Sequence, residues 1–218
     1  MDRIRLFINE LSKEKSTPIL TNVYSPEFPQ SEICRENLYN YLHRIKNNNS
    51  KVMLIGEAPG YRGCRLSGIA FTCENNFTKD IIPEIMGKDL EYKIYSNGNP
   101  QKEFSASTVW PILEIWYEIY GYVPLLWNIC PFHPHSKDSV MSNRTPKKKE
   151  IERGIKYFLE LVDIFDIQHI GCIGRKSEET IQKIRNVNIK YLRHPSCGGK
   201  KDFENNMEEY MKKFIPID

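Results

Sequence analysis

KVMLIGEAPGYRGCRLSGIAFT, residues 51–72, decides how the chain is read. Val52 to Ile55 is a short apolar run bounded by turn residues, the pattern of a buried strand. The run breaks at once into Gly56-Glu57-Ala58-Pro59-Gly60. A loop at the C-terminal end of a parallel strand is where open α/β sheets hold their ligands. Gly56 and Gly60 permit close backbone approach and unusual dihedrals. Pro59 stiffens the turn between them, and Glu57 brings a carboxylate to the crevice. No Gly-Lys-Ser/Thr follows, so this is not a phosphate-binding P-loop, and the GxGxxG spacing of a dinucleotide site is absent.

Outward from this stretch, helical and strand patterns alternate. Upstream, residues 2–14 predict a short amphipathic helix, 15–30 a proline-containing loop, and 31–47 a second helix with Ile33, Leu38, Leu42 and Ile45 at helical spacing. Downstream, 79–90 predict a helix, and 91–104 are polar with an Asn-Gly-Asn-Pro turn cluster. Residues 105–120 follow as an aromatic-rich helix and 122–129 as a strand. After a loop over 131–144, Thr145 caps a helix opened by Pro146 and running to about 165. A strand at 168–173, a helix at 176–184, a strand at 187–192 and a helix at 201–213 complete the chain. The expected fold is α/β: a three-layer α/β/α sandwich around a short central four-stranded parallel sheet, with right-handed crossovers. All 218 residues are expected to form a single domain, with 1–50 as a helical segment packed on it.

Composition narrows the function classes. With 40% hydrophobic residues the chain can bury a sizeable core, and its net charge of +3 and pI near 8.4 suit a polyanionic partner without requiring one. No apolar run approaches the roughly 20 residues of a membrane span. The N-terminus, MDRIRLFINELSKEK, has no signal-peptide apolar region. The expected location is cytoplasmic, nucleoid-associated if the protein acts on DNA. The six cysteines, at 34, 64, 73, 130, 172 and 197, form no CxxC pair and are expected to be reduced.

Two later segments give the opening loop its meaning: Leu126-Trp127-Asn128-Ile129-Cys130-Pro131 and Arg193-His194-Pro195-Ser196. In chain order with Gly56–Gly60, Gly68, Phe71, Thr72, Asn143-Arg144-Thr145-Pro146 and Gly174-Arg175, they resemble the uracil-DNA glycosylase superfamily. The likeness runs from about Lys51 to Ser196 and is greatest to the branch whose first motif reads GEAPG. It implies a monofunctional hydrolase of N-glycosyl bonds in base-excision repair. Such an enzyme removes uracil or a related deaminated base from DNA and leaves an abasic site. The implied partner is DNA containing a deaminated base; from this chain's own residues, a monomer with no cofactor, no metal and no membrane contact is expected.

The resemblance also implies roles. His194 would donate a hydrogen bond to uracil O2 as charge builds on the leaving base. Asn128 would read the base edge through its paired donor and acceptor, Phe71 would stack on the base, and Ala58 would line the pocket. Gly56, Pro59 and Gly60 shape the motif loop. Glu57 would orient a water or steady the positive sugar; turnover unchanged in Glu57→Gln would move that role elsewhere, with Asp138 the next candidate. Apart from the resemblance, Arg62, Arg65, Arg193, Ser196, Lys200 and Lys201 are candidate contacts to the DNA backbone.

The chain departs from the pattern in four places. Ala58 stands where the best-known branch has an Asp, and Gly60 where the strict uracil branch has a Tyr that blocks the thymine methyl. Cys197-Gly198-Gly199-Lys200-Lys201 replaces an apolar wedge, which predicts a preference for single-stranded or mismatched DNA. The GEAPG branch holds a four-cysteine iron–sulfur cluster, and only Cys34 is present near this N-terminus, so no cluster is expected. The alternative is a non-catalytic or repurposed member that binds nucleic acid or a nucleotide.

Overall fold

A computed structural model of the chain describes residues 2–78, 81–96, 99–184 and 188–214. Residues 79 and 80 of the expected helix, 97 and 98 of the turn cluster and Val187 of the last strand lie outside them. The elements are α1 (Arg3–Ser12), β1 (Leu20–Thr21), α2 (Ser31–Asn47), β2 (Val52–Gly56), α3 (Cys64–Ser67), α4 (Ile81–Met86), α5 (Phe104–Tyr120), β3 (Leu125–Asn128), β4 (His133–Pro134), α6 (Lys148–Phe165), β5 (His169–Ile173), α7 (Arg175–Ile184), β6 (Asn188–Leu192) and α8 (Lys200–Met211).

Four strands form one parallel sheet in the order β3-β2-β5-β6. The chain leaves β2 for β3 on one side and returns through α6 to β5 on the other. The sheet therefore changes direction between β2 and β5, where an open α/β sheet opens a crevice at its C-terminal edge. Helices cover both faces. On one, Phe7 of α1 meets Trp127 of β3 and Tyr157 of α6 edge-on, with ring centroids 5.6 and 5.9 Å apart. On the other, Trp116 of α5 packs against Tyr210 of α8, while Leu54, Leu192 and Tyr210 close around Gly171. These side chains are almost wholly buried, and such burial is the main stabilising term. The edge strand β3 is protected by α2: Tyr41 accepts a hydrogen bond from the Leu126 N–H at 2.7 Å. Among the described residues no helix is long and apolar enough to cross a membrane.

Several boundaries differ from expectation, among them the end of α4 at Met86 rather than 90, and two have a clear local reason. Strand β3 begins at Leu125 rather than Tyr122, because Gly121 ends α5 in a left-handed turn and Tyr122 packs back on Trp116. Helix α6 begins at Lys148, two residues after Pro146. Glu150 accepts the Lys147 N–H at 2.7 Å, while the Thr145 hydroxyl accepts from the Lys176 ammonium at 3.0 Å instead of capping. The two expected loops, 15–30 and 131–144, pair through β1 and β4, with Thr21 opposite His133. The polar stretch over 91–104 is also ordered. Buried Glu74 accepts the N–H groups of Tyr95, Ser96 and Gln101 at 2.8, 3.0 and 3.2 Å.

Candidate active site

The motif loop leaves β2 at Gly56, whose register partner is Asn128, the last residue of β3. Strand periodicity puts successive side chains on opposite faces. Trp127 thus enters the core beside Phe7, and Asn128 turns to the other face. There the amide oxygen of Asn128 closes on Gly56. A Cβ on Gly56 would lie 2.9 Å from Asn128 Oδ1 and 2.3 Å from the tip of the Phe71 ring. Only glycine allows this approach. Phe71 itself holds a left-handed backbone conformation, φ 51°, which costs energy in a non-glycine residue and needs support. Ser67 supplies some of it, donating to the Thr72 carbonyl at 2.7 Å and accepting from the Ile69 N–H at 3.1 Å. Trp110 adds a hydrogen bond to the Thr72 hydroxyl at 3.2 Å.

His194 follows β6 at the far side of the crevice. The Ser196 N–H donates to its Nδ1 at 3.2 Å, with the Ser196 hydroxyl 2.7 Å from the same atom. Burial first, and the neighbouring Arg193 second, push the imidazole below its usual value near 6.5. At neutral pH the ring is uncharged; with Nδ1 accepting, its proton sits on Nε2. Nε2–H is then a hydrogen-bond donor for a ligand.

One cleft of about 490 Å3 brings these groups together: Glu57, Ala58, Pro59 and Gly60 of the loop, Phe71, Asn128, and His194 with Ser196. Its size suits a small-molecule site. A larger hollow of about 720 Å3 lies between α1 and α2 and holds no motif residue. Glu57 also faces a neighbouring hollow shared with Gly174, Lys176 and His194. The Lys176 ammonium stands 3.4 Å from Glu57 Oε1, which is shielded from solvent and accepts no hydrogen bond among the described residues.

The 143–146 segment braces the loop. Asn143 Oδ1 accepts the Tyr61 N–H at 2.9 Å. Arg144 makes a bidentate pair with Glu150, at 2.6 and 2.8 Å, and donates to the His135 and Ile19 carbonyls. Buried His133 lies with Nδ1 2.9 Å from the Pro59 carbonyl oxygen and Nε2 2.9 Å from that of Val140. Burial pushes this imidazole down too, so a neutral ring donates to one carbonyl at a time.

Not every expected residue reaches a ligand. Arg65 is buried, donates to the Tyr61 carbonyl at 2.9 Å and touches Met141 Sδ. A guanidinium enclosed in this way cannot contact phosphate, so Arg65 is a structural residue. Arg193 is committed to its own loop, donating to the carbonyls of His194 and Cys197. Asp138 is exposed and does not line the cleft. Arg62, Lys200 and Lys201 are exposed near the motif loops and remain open to a phosphate backbone, although Lys200 is 3.8 Å from Glu204.

Among the lining residues that sequence reasoning missed, two stand out. Phe104, 56% exposed, stands on the rim. Glu103 puts a second carboxyl into the cleft, and burial pushes it up to about 7. Neither belongs to a recognisable motif, and both lie in or beside a stretch that reads as polar turn. Among the described residues no group of three or more His, Cys, Asp or Glu side chains could hold a metal ion, so the cysteines present do not fit a four-thiolate cluster.

Comparisons with known proteins place the chain. It is similar to a solved structure described as the wild-type UNG crystal structure from Nitratifractor salsuginis, at 15% identity and a TM-score of 0.45, covering 96% of this chain and 95% of that one. No curated protein matches it. The model of the uracil DNA glycosylase superfamily matches residues 43–216, which takes in every motif residue of the cleft. The chain belongs to the uracil DNA glycosylase superfamily.

Proposed function

We propose that this protein is a monofunctional DNA glycosylase that hydrolyses the N-glycosidic bond of uracil, or a related deaminated base, and leaves an abasic site. The observation that carries the reading is the convergence on Gly56. An aromatic ring and an amide close on a bare backbone, and an uncharged histidine opens on the same cleft. A base taken out of the helix needs a stacking surface, an edge reader and a donor for the charge it leaves with, because extrusion costs a few kcal/mol that the pocket must return.

In this reading Phe71 stacks on the base and Asn128 pairs with N3–H and O4. The C1′–N1 bond breaks with its electron pair passing to the base. His194 Nε2–H stabilises the charge gathering on O2; a preorganised donor of this kind contributes about 2.7–4 kcal/mol. Water adds to C1′ while Glu57 orients it or steadies the positive sugar, and the proton it sheds neutralises the departing base. Arg62, Lys200 and Lys201 hold the backbone, and Ser196 fixes the imidazole. The protein works as a cytoplasmic monomer. The Cys197-Gly198-Gly199 segment provides no wedge, which favours single-stranded or mismatched substrates.

The test is excision from labelled oligonucleotides carrying uracil, hypoxanthine or thymine opposite guanine, single- and double-stranded, followed by alkaline cleavage of abasic sites. Loss of uracil excision in Asn128→Ala supports the reading. No excision by the wild type with DNA binding intact would move the assignment to a non-catalytic member of the superfamily.

A further inference from the structure

The second carboxyl of the cleft occupies a telling place. Glu103 precedes α5, and its side chain turns back along the 60–63 backbone. A Cβ on Gly60 would meet Glu103 Oε1 at 2.3 Å, and one on Gly63 would meet Oε2 at 2.5 Å. The carboxyl fills the space that a side chain at position 60 would take. The backbone just upstream is fixed: Glu74 holds the Gln101 N–H, and the Gln101 carbonyl accepts the Asn75 N–H at 3.1 Å. Cys64 links the two: it shares a small inner pocket with Asn128, and it follows Gly63, against which the Glu103 carboxyl lies. With its ionisation near neutral pH, Glu103 offers both a hydroxyl donor and acceptor oxygens.

The order of groups around the cleft gives Glu103 something to face. His194 comes from the far strand and meets O2; Asn128 comes from the edge strand and meets N3 and O4. Around a pyrimidine ring the order is O2, N3, O4, C5. Beyond Asn128, past Cys64, stands Glu103. We infer that Glu103 is a specificity-determining residue that governs the C5 edge of the extruded base, admitting a hydrogen-bonding substituent there and refusing a methyl. The inference rests on the glycosylase reading. A buried carboxyl facing a methyl loses its partners without replacement, whereas a hydroxyl supplies a donor and an acceptor. Sites built to hydrogen-bond a group discriminate steeply against analogues that lack it.

The experiment uses oligonucleotides carrying uracil, thymine or 5-hydroxymethyluracil, together with the free bases observed by saturation-transfer NMR. Wild type, Glu103→Gln, Glu103→Leu and Glu103→Ala are compared, with circular dichroism confirming which variants fold. The wild type is expected to favour 5-hydroxymethyluracil over thymine by roughly a hundredfold. The ratio should fall towards one in Glu103→Leu and Glu103→Ala, and largely survive in Glu103→Gln. A ratio unchanged in the folded variants, alongside wild-type excision of uracil, overturns the role of Glu103 and leaves the glycosylase reading standing. If the wild type excises nothing, the glycosylase reading fails and the free bases decide. A binding ratio that shifts with Glu103 supports its role, and an unchanged ratio or no binding overturns it.

Discussion

Replacing Glu103 with glutamine keeps the shape of the side chain and removes its ionisation. In the wild type the carboxyl ionises near 7 rather than near 4.5, chiefly because burial disfavours the charged form, with the Ala106 amide pulling the other way. Below pH 4.5 it is protonated in both folded and unfolded chains and contributes nothing to the pH dependence. Between 4.5 and 7 the unfolded chain releases the proton while the folded chain keeps it, so stability falls as pH rises. Above 7 the loss is complete. Each pH unit between the two ionisations corresponds to 1.36 kcal/mol, so the full loss is about 3 kcal/mol. Glu103→Gln carries no such term. Urea denaturation of both proteins at half-unit steps from pH 4.5 to 8 isolates it, because other titrating groups cancel in the difference. The variant should gain about 3 kcal/mol on the wild type across that range, nearly all of it before pH 7.5. A difference that stays flat with pH would refute the burial of this carboxyl.

Other perturbations test the scaffold and the DNA contacts. Gly56→Ala places a Cβ against the Phe71 ring and Asn128 Oδ1, so it should cost about 1–3 kcal/mol in denaturant titration and abolish base binding as seen by NMR. Arg144→Ala leaves buried Glu150 without its bidentate partner and strips donors from the Ile19 and His135 carbonyls. A loss of about 3–5 kcal/mol in urea is expected, with Arg144→Lys a poor rescue. Removing both Lys200 and Lys201 should weaken DNA binding on every sequence. It should also flatten the plot of log affinity against log salt by about 2, as two released phosphate contacts require; an unchanged slope would remove both from the interface.

What the sequence reveals about this molecule is what its local patterns encode. Val52–Ile55 followed by Gly-Glu-Ala-Pro-Gly marks a buried strand and its loop, because an apolar run and turn residues are both short-range signals. Asn128 and His194 were legible through their motif neighbours, and the register that brings Asn128 beside Gly56 follows from parallel strands that end together. Side-chain direction was not legible. Arg62 and Arg65 stand three residues apart, one in the motif loop and one in α3, yet Arg65 is enclosed and Arg62 exposed, and only the packing of Met141 and Tyr61 decides it. Pairing of β1 with β4 is too short to leave a periodicity. Glu103 was invisible for a different reason. Its importance comes from contact with Gly60 and Gly63, some 40 residues upstream, and from the clamp made by Glu74. Thr145 read as a helix cap because the sequence does not show that Lys176 claims its hydroxyl.

The most direct test of the glycosylase reading is single-turnover excision of uracil from a single-stranded oligonucleotide by the wild type and by His194→Ala, with DNA binding measured alongside. If an uncharged His194 stabilises the departing base, the wild type leaves alkali-labile abasic sites. The variant should then bind DNA equally well but cleave about 100- to 1,000-fold more slowly. Equal rates in the two proteins would take catalysis away from His194, and no abasic sites with the wild type would contradict the glycosylase reading itself.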